Sequence, residues 1–199
     1  TKQIRCKFVT YSADVFFDIK DIFGLISERY FMNWVLYIAI ALATFVLMEG
    51  FTWCLHRYVM HGFGWYLHKD HHQKGPGFFE KNDAFFLIFA IPSWLLIMLG
   101  VMYKVYWMIP IGAGFTMYGI AYFLVHEVII HQRIKWFTRS NNTYVRTIRW
   151  AHKMHHKHID RHDGESFGML WVNKKYWDKV KADKKRITKE MTVAENDAT

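Results

Sequence analysis

The sequence predicts an all-α fold: an integral-membrane helical bundle with about three spanning helices and histidine-bearing helices on its cytoplasmic side. Three observations predict it. Of the 199 residues 52% are hydrophobic and 19% aromatic, yet charge is segregated, nearly absent from the middle and dense in the last third. The apolar stretches have the length of bilayer crossings, ~20 residues at ~1.5 Å rise each. Polar, histidine-rich segments follow directly on those stretches.

Taken in order, residues 1–31 mix charged and apolar residues and lack the basic start, short apolar core and small-residue cleavage site of a signal peptide. They read as an N-terminal extension ahead of a natural start at Met32, or as holding a short amphipathic helix over 13–28. Residues 32–172 form the membrane domain, and 173–199 a basic cytoplasmic tail. The first apolar run, Phe31 to Leu55, carries Glu49 as its one formal charge and is long enough to span. A polar segment from His56 to Asp83 follows, with a turn at Gly75-Pro76-Gly77. The next apolar run, Ala84 to Val125, is too long for one crossing and suits two, joined by a tight turn near Lys104. Gly112, Gly114 and Gly119 would let the second of these helices pack closely on a neighbour.

Three crossings place both histidine-rich segments on one side of the membrane. The segment 56–83 has four Lys/Arg and the region after His131 sixteen, against one at the intervening turn. The positive-inside rule therefore puts both in the cytoplasm. The net charge of +9 could serve nucleic acid or an anionic membrane surface. A nucleic-acid-binding domain has no need of long uncharged runs, so the partner is the bilayer. Cys6 and Cys54 make neither a disulfide framework nor a thiolate metal site.

Ten of the 12 histidines form one pattern written twice. His56 and His61 make HxxxxH; His68, His71 and His72 make HxxHH. His126 and His131 repeat the first motif, and His152, His155 and His156 the second. On an α-helix residues i, i+3 and i+4 lie within about 100° of arc, so HxxHH presents three imidazoles from one face. Residues i and i+5 differ by about 140°, so the HxxxxH pair serves different metals or sits on a widened or ended helix such as a π-bulge. Ten imidazoles without a thiolate exceed the three or four ligands of one zinc, and two metals sharing them is the economical reading. Oxygen-activating iron is the favoured pair. Soluble di-iron bundles use Glu-x-x-His instead, which is absent here. Asp70, Glu127, Asp160 and Asp163 lie near these histidines and are candidates to fix their tautomers. His158 and His162 fall outside the pattern. No GxGxxG, P-loop, GxSxG or HExxH occurs.

The segments HRYVMHGFGWYLHKDHH, KNDAFFLIFA, GAGFTMYGIAYFLVHEVIIHQR, AHKMHHKH and SFGMLW, over roughly residues 33–171, resemble the membrane fatty-acid hydroxylase superfamily. Within it the likeness is to the bacterial β-carotene hydroxylases, with Glu127 where Asp is expected. The resemblance implies hydroxylation of β-ionone rings at carbon 3, with two Fe ions, O2 and electrons from a ferredoxin-type donor. It also implies that the ten histidines of the two motifs are the iron ligands. The carotenoid would enter from the bilayer, with Trp65, Tyr66, Phe123 and Phe167 as candidate pocket walls. Other expectations compete: a sibling lipid oxygenase, such as a carotenoid ketolase or a sterol or fatty-acid hydroxylase or desaturase, or a metal-transport protein. Transport would need polar residues along the spans, where only Glu49 and Lys104 stand.

Overall fold

The computed structural model describes residues 19–73, 77–160 and 162–197, with side chains from Asn33 onward. The expected extension over 1–31 lies outside these bounds except for the helical backbone from Ile19. Cys6 and the Gly75-Pro76 part of the expected turn also lie outside. The chain divides into two compact units, Thr1–Leu36 and Tyr37–Thr199.

The described residues contain helices and no strand. Helix α1 (Ile19–Cys54) runs on into a π-helical segment, Leu55–Phe63, and α2 (Trp65–His72) follows. A 3₁₀ turn, Lys81–Phe85, leads into α3 (Phe86–Met102). Helix α4 (Met108–Tyr122) runs on into a second π-helical segment, Phe123–Ile130, before α5 (Thr143–Lys157) and α6 (Lys174–Asp197).

Among the described residues three stretches are long and apolar enough to cross a membrane: Asn33–Phe63, Lys81–Met102 and Met108–Ile130. A helix of sufficient length and apolarity stands at each expected crossing, and the first and third reach further than the apolar runs alone suggested. They continue through the HxxxxH motifs because those histidines turn inward while Phe63, Phe123 and Leu124 stay exposed. Val46, Leu47, Trp94 and Ile120 also project outward, the apolar coat that lipid requires of a spanning helix. The turn between α3 and α4 falls where expected, and Lys104 takes the left-handed conformation there, with φ of 57°.

Close helix packing comes from two of the three expected glycines. A Cβ on Gly112 would stand 2.7 Å from Cγ1 of Ile97 on α3, and one on Gly114 2.6 Å from Cβ of Thr44 on α1. Gly119 is different: its nearest such neighbour, Cβ of Phe89, is 3.9 Å away, so close approach does not depend on it. Ser93 on α3 donates from Oγ to the Gly112 carbonyl at 3.0 Å, a polar tie inside the span. Met48, Phe89 and Tyr118 form the buried centre where α1, α3 and α4 meet.

Beyond the third span, the Asn142 side chain caps α5 by accepting from the Val145 N–H at 3.2 Å. The basic segment from 173 is helical from Lys174, and Tyr176 of α6 is buried with Ile148, Ala151 and Val172 against α5; Val180 of α6 is buried as well.

Candidate metal centre

Both HxxxxH motifs lie on the π-helical segments, and this answers the spacing problem. A π turn closes with an i+5 to i hydrogen bond, and its width brings i and i+5 onto one face. The bonds are present: the His131 N–H donates to the His126 carbonyl at 2.9 Å, and the Gly64 N–H to the Val59 carbonyl at 2.8 Å. The His56 and His61 rings consequently lie 5.1 Å apart, and the His126 and His131 rings 4.6 Å. Each pair faces one site, so the widened helix, not separate metals, accounts for HxxxxH.

The histidines gather in two groups. His56, His61, His68, His72 and His155 form the first, with one ring nitrogen of each within 4.8 Å of the others. His71, His126, His131 and His152 form the second. His156 adjoins it, with Nε2 2.8 Å from Nε2 of His152. The middle histidine of each HxxHH has crossed over. On α2, His68 and His72 share a side and stay with their own HxxxxH pair, while His71 points at His126 and His131, with ring separations of 4.6 and 4.3 Å. On α5, His152 and His156 stay with His126 and His131, while His155 joins the first group, with Nε2 3.2 Å from Nε2 of His61. The two groups are thus laced together by one exchanged imidazole each. His56, His68, His71, His126, His152 and His155 are buried.

His56, His61, His68, His71, His126 and His155 present Nδ1 to an acceptor and so aim Nε2 inward. His56 donates to the Phe167 carbonyl at 2.9 Å, His61 to that of Ile159 at 2.6 Å and His155 to that of Glu165 at 3.0 Å. His68 donates to Oδ1 of Asn82 at 2.7 Å, His71 to Glu80 at 2.9 Å and His126 to Glu127 at 2.6 Å. Outer acceptors of this kind fix the tautomer and orientation of a metal-binding imidazole.

A metal pair fits what remains. With Nδ1 protonated, the Nε2 atoms are lone pairs, and they converge on one another. Those of His56 and His68 lie 3.1 Å apart, and those of His71 and His126 are buried without a hydrogen-bond partner. Facing lone pairs repel unless a cation stands among them, and neutral imidazole is the form that binds one. Burial keeps the rings neutral. It pulls His68 down to about 3, against the Asn82 hydrogen bond, and His156 down to about 4. His71 and His152 fall well below the usual histidine range, first through burial and then through neighbouring histidines.

Around the second group runs an ion network. Arg133 reaches Glu127 at 2.7 Å, Glu80 at 2.9 Å and Asp83 at 3.0 Å. Burial opposes the charge on Arg133, but those three carboxylates more than offset it and raise its pKa. Of the four carboxylates expected to orient histidines, Glu127 does so. Asp70 instead accepts from the Lys81 N–H and Asp160 from the His162 N–H, so both brace loops. His158 pairs with Glu165 at 3.4 Å, outside both groups.

A cavity of about 300 Å³ adjoins the centre, lined by apolar residues of all three spans, such as Leu55, Phe85 and Phe89, and by Asn82, Asp83, Glu127 and Arg133. A second cavity of about 620 Å³ lies between α3 and α4 and shares Phe86, Phe89 and Phe123 with the first. Phe123 therefore lines it as expected. Trp65 and Phe167 pack against the histidine rings, and Tyr66 lies at the surface under Lys81.

Glu49, the one formal charge of the first apolar run, is a structural anchor. It accepts from the N–H groups of Met169 and Leu170 at 2.8 Å and of Trp171 at 3.0 Å, and from the Tyr118 hydroxyl at 2.7 Å. That pins the loop whose Phe167 carbonyl holds His56.

Comparison with known proteins places this geometry. The fatty acid hydroxylase family model matches residues 41–181. A β-carotene hydroxylase of Pantoea ananas is 39% identical over 143 residues, 71% of this chain and 80% of the relative. Those of Pseudescherichia vulneris (37%, covering 68% of this chain and 76% of the relative) and Paracoccus sp. strain PC1 (36%, covering 74% and 90%) are similar. No solved structure matches.

Proposed function

The chain belongs to the fatty acid hydroxylase family, and from that premise we propose that it hydroxylates β-ionone rings of β-carotene at carbon 3, giving cryptoxanthin and zeaxanthin. The observation that carries the reading is the pair of laced imidazole groups beside an apolar cavity that opens between spanning helices. Relatives named β-carotene hydroxylase support the substrate.

His56, His61, His68, His72 and His155 would hold one iron, and His71, His126, His131, His152 and His156 the other. When bound, the irons supply the O2 activation and electron transfer that placing a hydroxyl on an unactivated C–H bond requires. The protein's own residues do the rest. The Nδ1 acceptors hold each imidazole in one tautomer, with Nε2 toward the centre. Phe86, Phe89 and Phe123 line both cavities and would present an apolar surface to an uncharged ring and polyene. The walls of the inner cavity exclude water from the reacting carbon. The cytoplasmic membrane is the proposed location, with the histidine groups and α6 on the inner side, following the Lys/Arg distribution. A ferredoxin-type protein is the proposed electron donor.

Expression in bacteria that accumulate β-carotene tests the reading through pigment analysis. Mono- and dihydroxylated rings are expected. Unchanged β-carotene, with the protein folded and two irons bound, would move the substrate to another lipid.

A further inference from the structure

The two histidine groups differ in what holds them. In the first, every hydrogen-bonded Nδ1 donates to a neutral acceptor: the carbonyls of Phe167, Ile159 and Glu165 and the amide of Asn82. In the second, the Nδ1 atoms of His71 and His126 donate to carboxylates. Those carboxylates, Glu80 and Glu127, are joined through one guanidinium, Arg133, which also takes Asp83. Three carboxylates against one arginine leave this side net negative. Its inner members are sheltered: the side chains of Arg133, Glu80 and Glu127 are only 12%, 11% and 9% exposed, so solvent screens their field little, while Asp83, 32% exposed, forms the outer edge.

We propose that the two metal positions are inequivalent by construction, the one at His71, His126, His131, His152 and His156 binding its ion first and stabilising the higher charge, with Arg133 as the positioning residue that clamps its two carboxylates. This rests on the metal-centre reading above. A carboxylate accepting the Nδ1 proton makes the imidazole a stronger donor at Nε2, and a carbonyl or amide does so less. Arg133 adds geometry to charge. Its fork engages Glu127 through Nε and Glu80 and Asp83 through the two terminal nitrogens, a set that the single ammonium of lysine does not reproduce.

The test is stepwise loading of metal-free protein with Co2+, followed by ⁵⁷Fe2+ loading and Mössbauer spectroscopy. Wild-type protein should bind two ions in resolved steps and show two quadrupole doublets of equal area. Glu127→Gln and Glu80→Gln, nearly isosteric but neutral, should each weaken the tighter step about tenfold to a hundredfold and shift one doublet only. Arg133→Lys should shift the same doublet, and Asn82→Asp should move the other. One binding step with a single doublet, or a shift of both doublets by Glu127→Gln or Glu80→Gln, would overturn the inequivalence while leaving a two-metal centre standing. Should either Gln variant fail to fold, the other and the wild-type spectrum still decide. Fewer than two ions bound by wild-type protein would instead overturn the metal centre itself.

Discussion

Replacing Glu49 with leucine removes one carboxylate that accepts four hydrogen bonds, three of them from the backbone of Met169, Leu170 and Trp171. Trp171 is exposed, and water can take over its N–H. Met169 is buried and Leu170 half-buried, so their two N–H groups lose their partner. An unsatisfied buried donor costs ~1–3 kcal/mol, which sets the loss at about 2–6 kcal/mol for the two N–H groups, and the buried Tyr118 hydroxyl, losing the same acceptor, adds to it. The damage should also reach the metal centre. The freed loop carries the Phe167 carbonyl that holds His56 and the Phe167 ring that packs on His56, His61 and His155. Loss of such an outer support lowers metal affinity about tenfold to a hundredfold. Glutamine keeps an acceptor oxygen for the three N–H groups and should restore most of both properties. The assay is thermal unfolding in detergent together with metal titration of the purified variants. A leucine variant as stable and as metal-competent as wild type would refute the anchoring role.

Further outcomes follow from the same geometry. Gly114→Ala should destabilise by about 1–3 kcal/mol, because the added methyl lands on Thr44 and Ala41 of α1, whereas Gly119→Ala should be near neutral; thermal unfolding distinguishes them. Metal-free protein should weaken as pH falls below about 6.5. Unfolded histidines take up protons there, while His68 and His156 in the fold stay neutral down to about 3 and about 4. The stability they contribute is thus full above pH ~6.5 and drains toward pH ~3, with His68 alone accounting for about 2 kcal/mol between pH 7 and pH 5. Unfolding transitions at those two pH values check the sign and the size. Phe89→Ala should enlarge both cavities at their junction, destabilise by about 3–5 kcal/mol and alter pigment selectivity, read from product ratios. His155→Ala should abolish turnover and loading of one position, while His162→Ala, outside both groups, should leave both.

Much of this architecture was legible in the sequence, and what was not has physical reasons. Uncharged runs and the isolated Lys104 marked the spans and their turn, because a bilayer admits little else. HxxHH announced converging imidazoles from α-helical geometry alone. HxxxxH did not, since an α-helix sets i and i+5 about 140° apart, and π geometry has no reliable residue signature. The exchange of His71 and His155 depends on how α2 and α5 pack, which no local spacing encodes. The acceptors were the least visible. Three are backbone carbonyls, of Phe167, Ile159 and Glu165, and carbonyls carry no side-chain signal. Glu80, Asn82 and Arg133 were readable only in part: a GFFEKND segment opening a span places its polar residues where a helix start meets the histidines. Sequence proximity finds Glu127 but offers Asp70, Asp160 and Asp163 equally, so proximity by itself does not select the acceptor.

The measurement that bears most directly on the central claim is metal content per chain after anaerobic loading with ferrous iron, on wild-type protein and on His155→Ala. Two irons in the wild type, falling to one in the variant, are predicted from the laced groups. Wild-type protein that stays folded yet takes up a single ion, or zinc alone, would contradict the two-iron centre and the oxygen chemistry built on it.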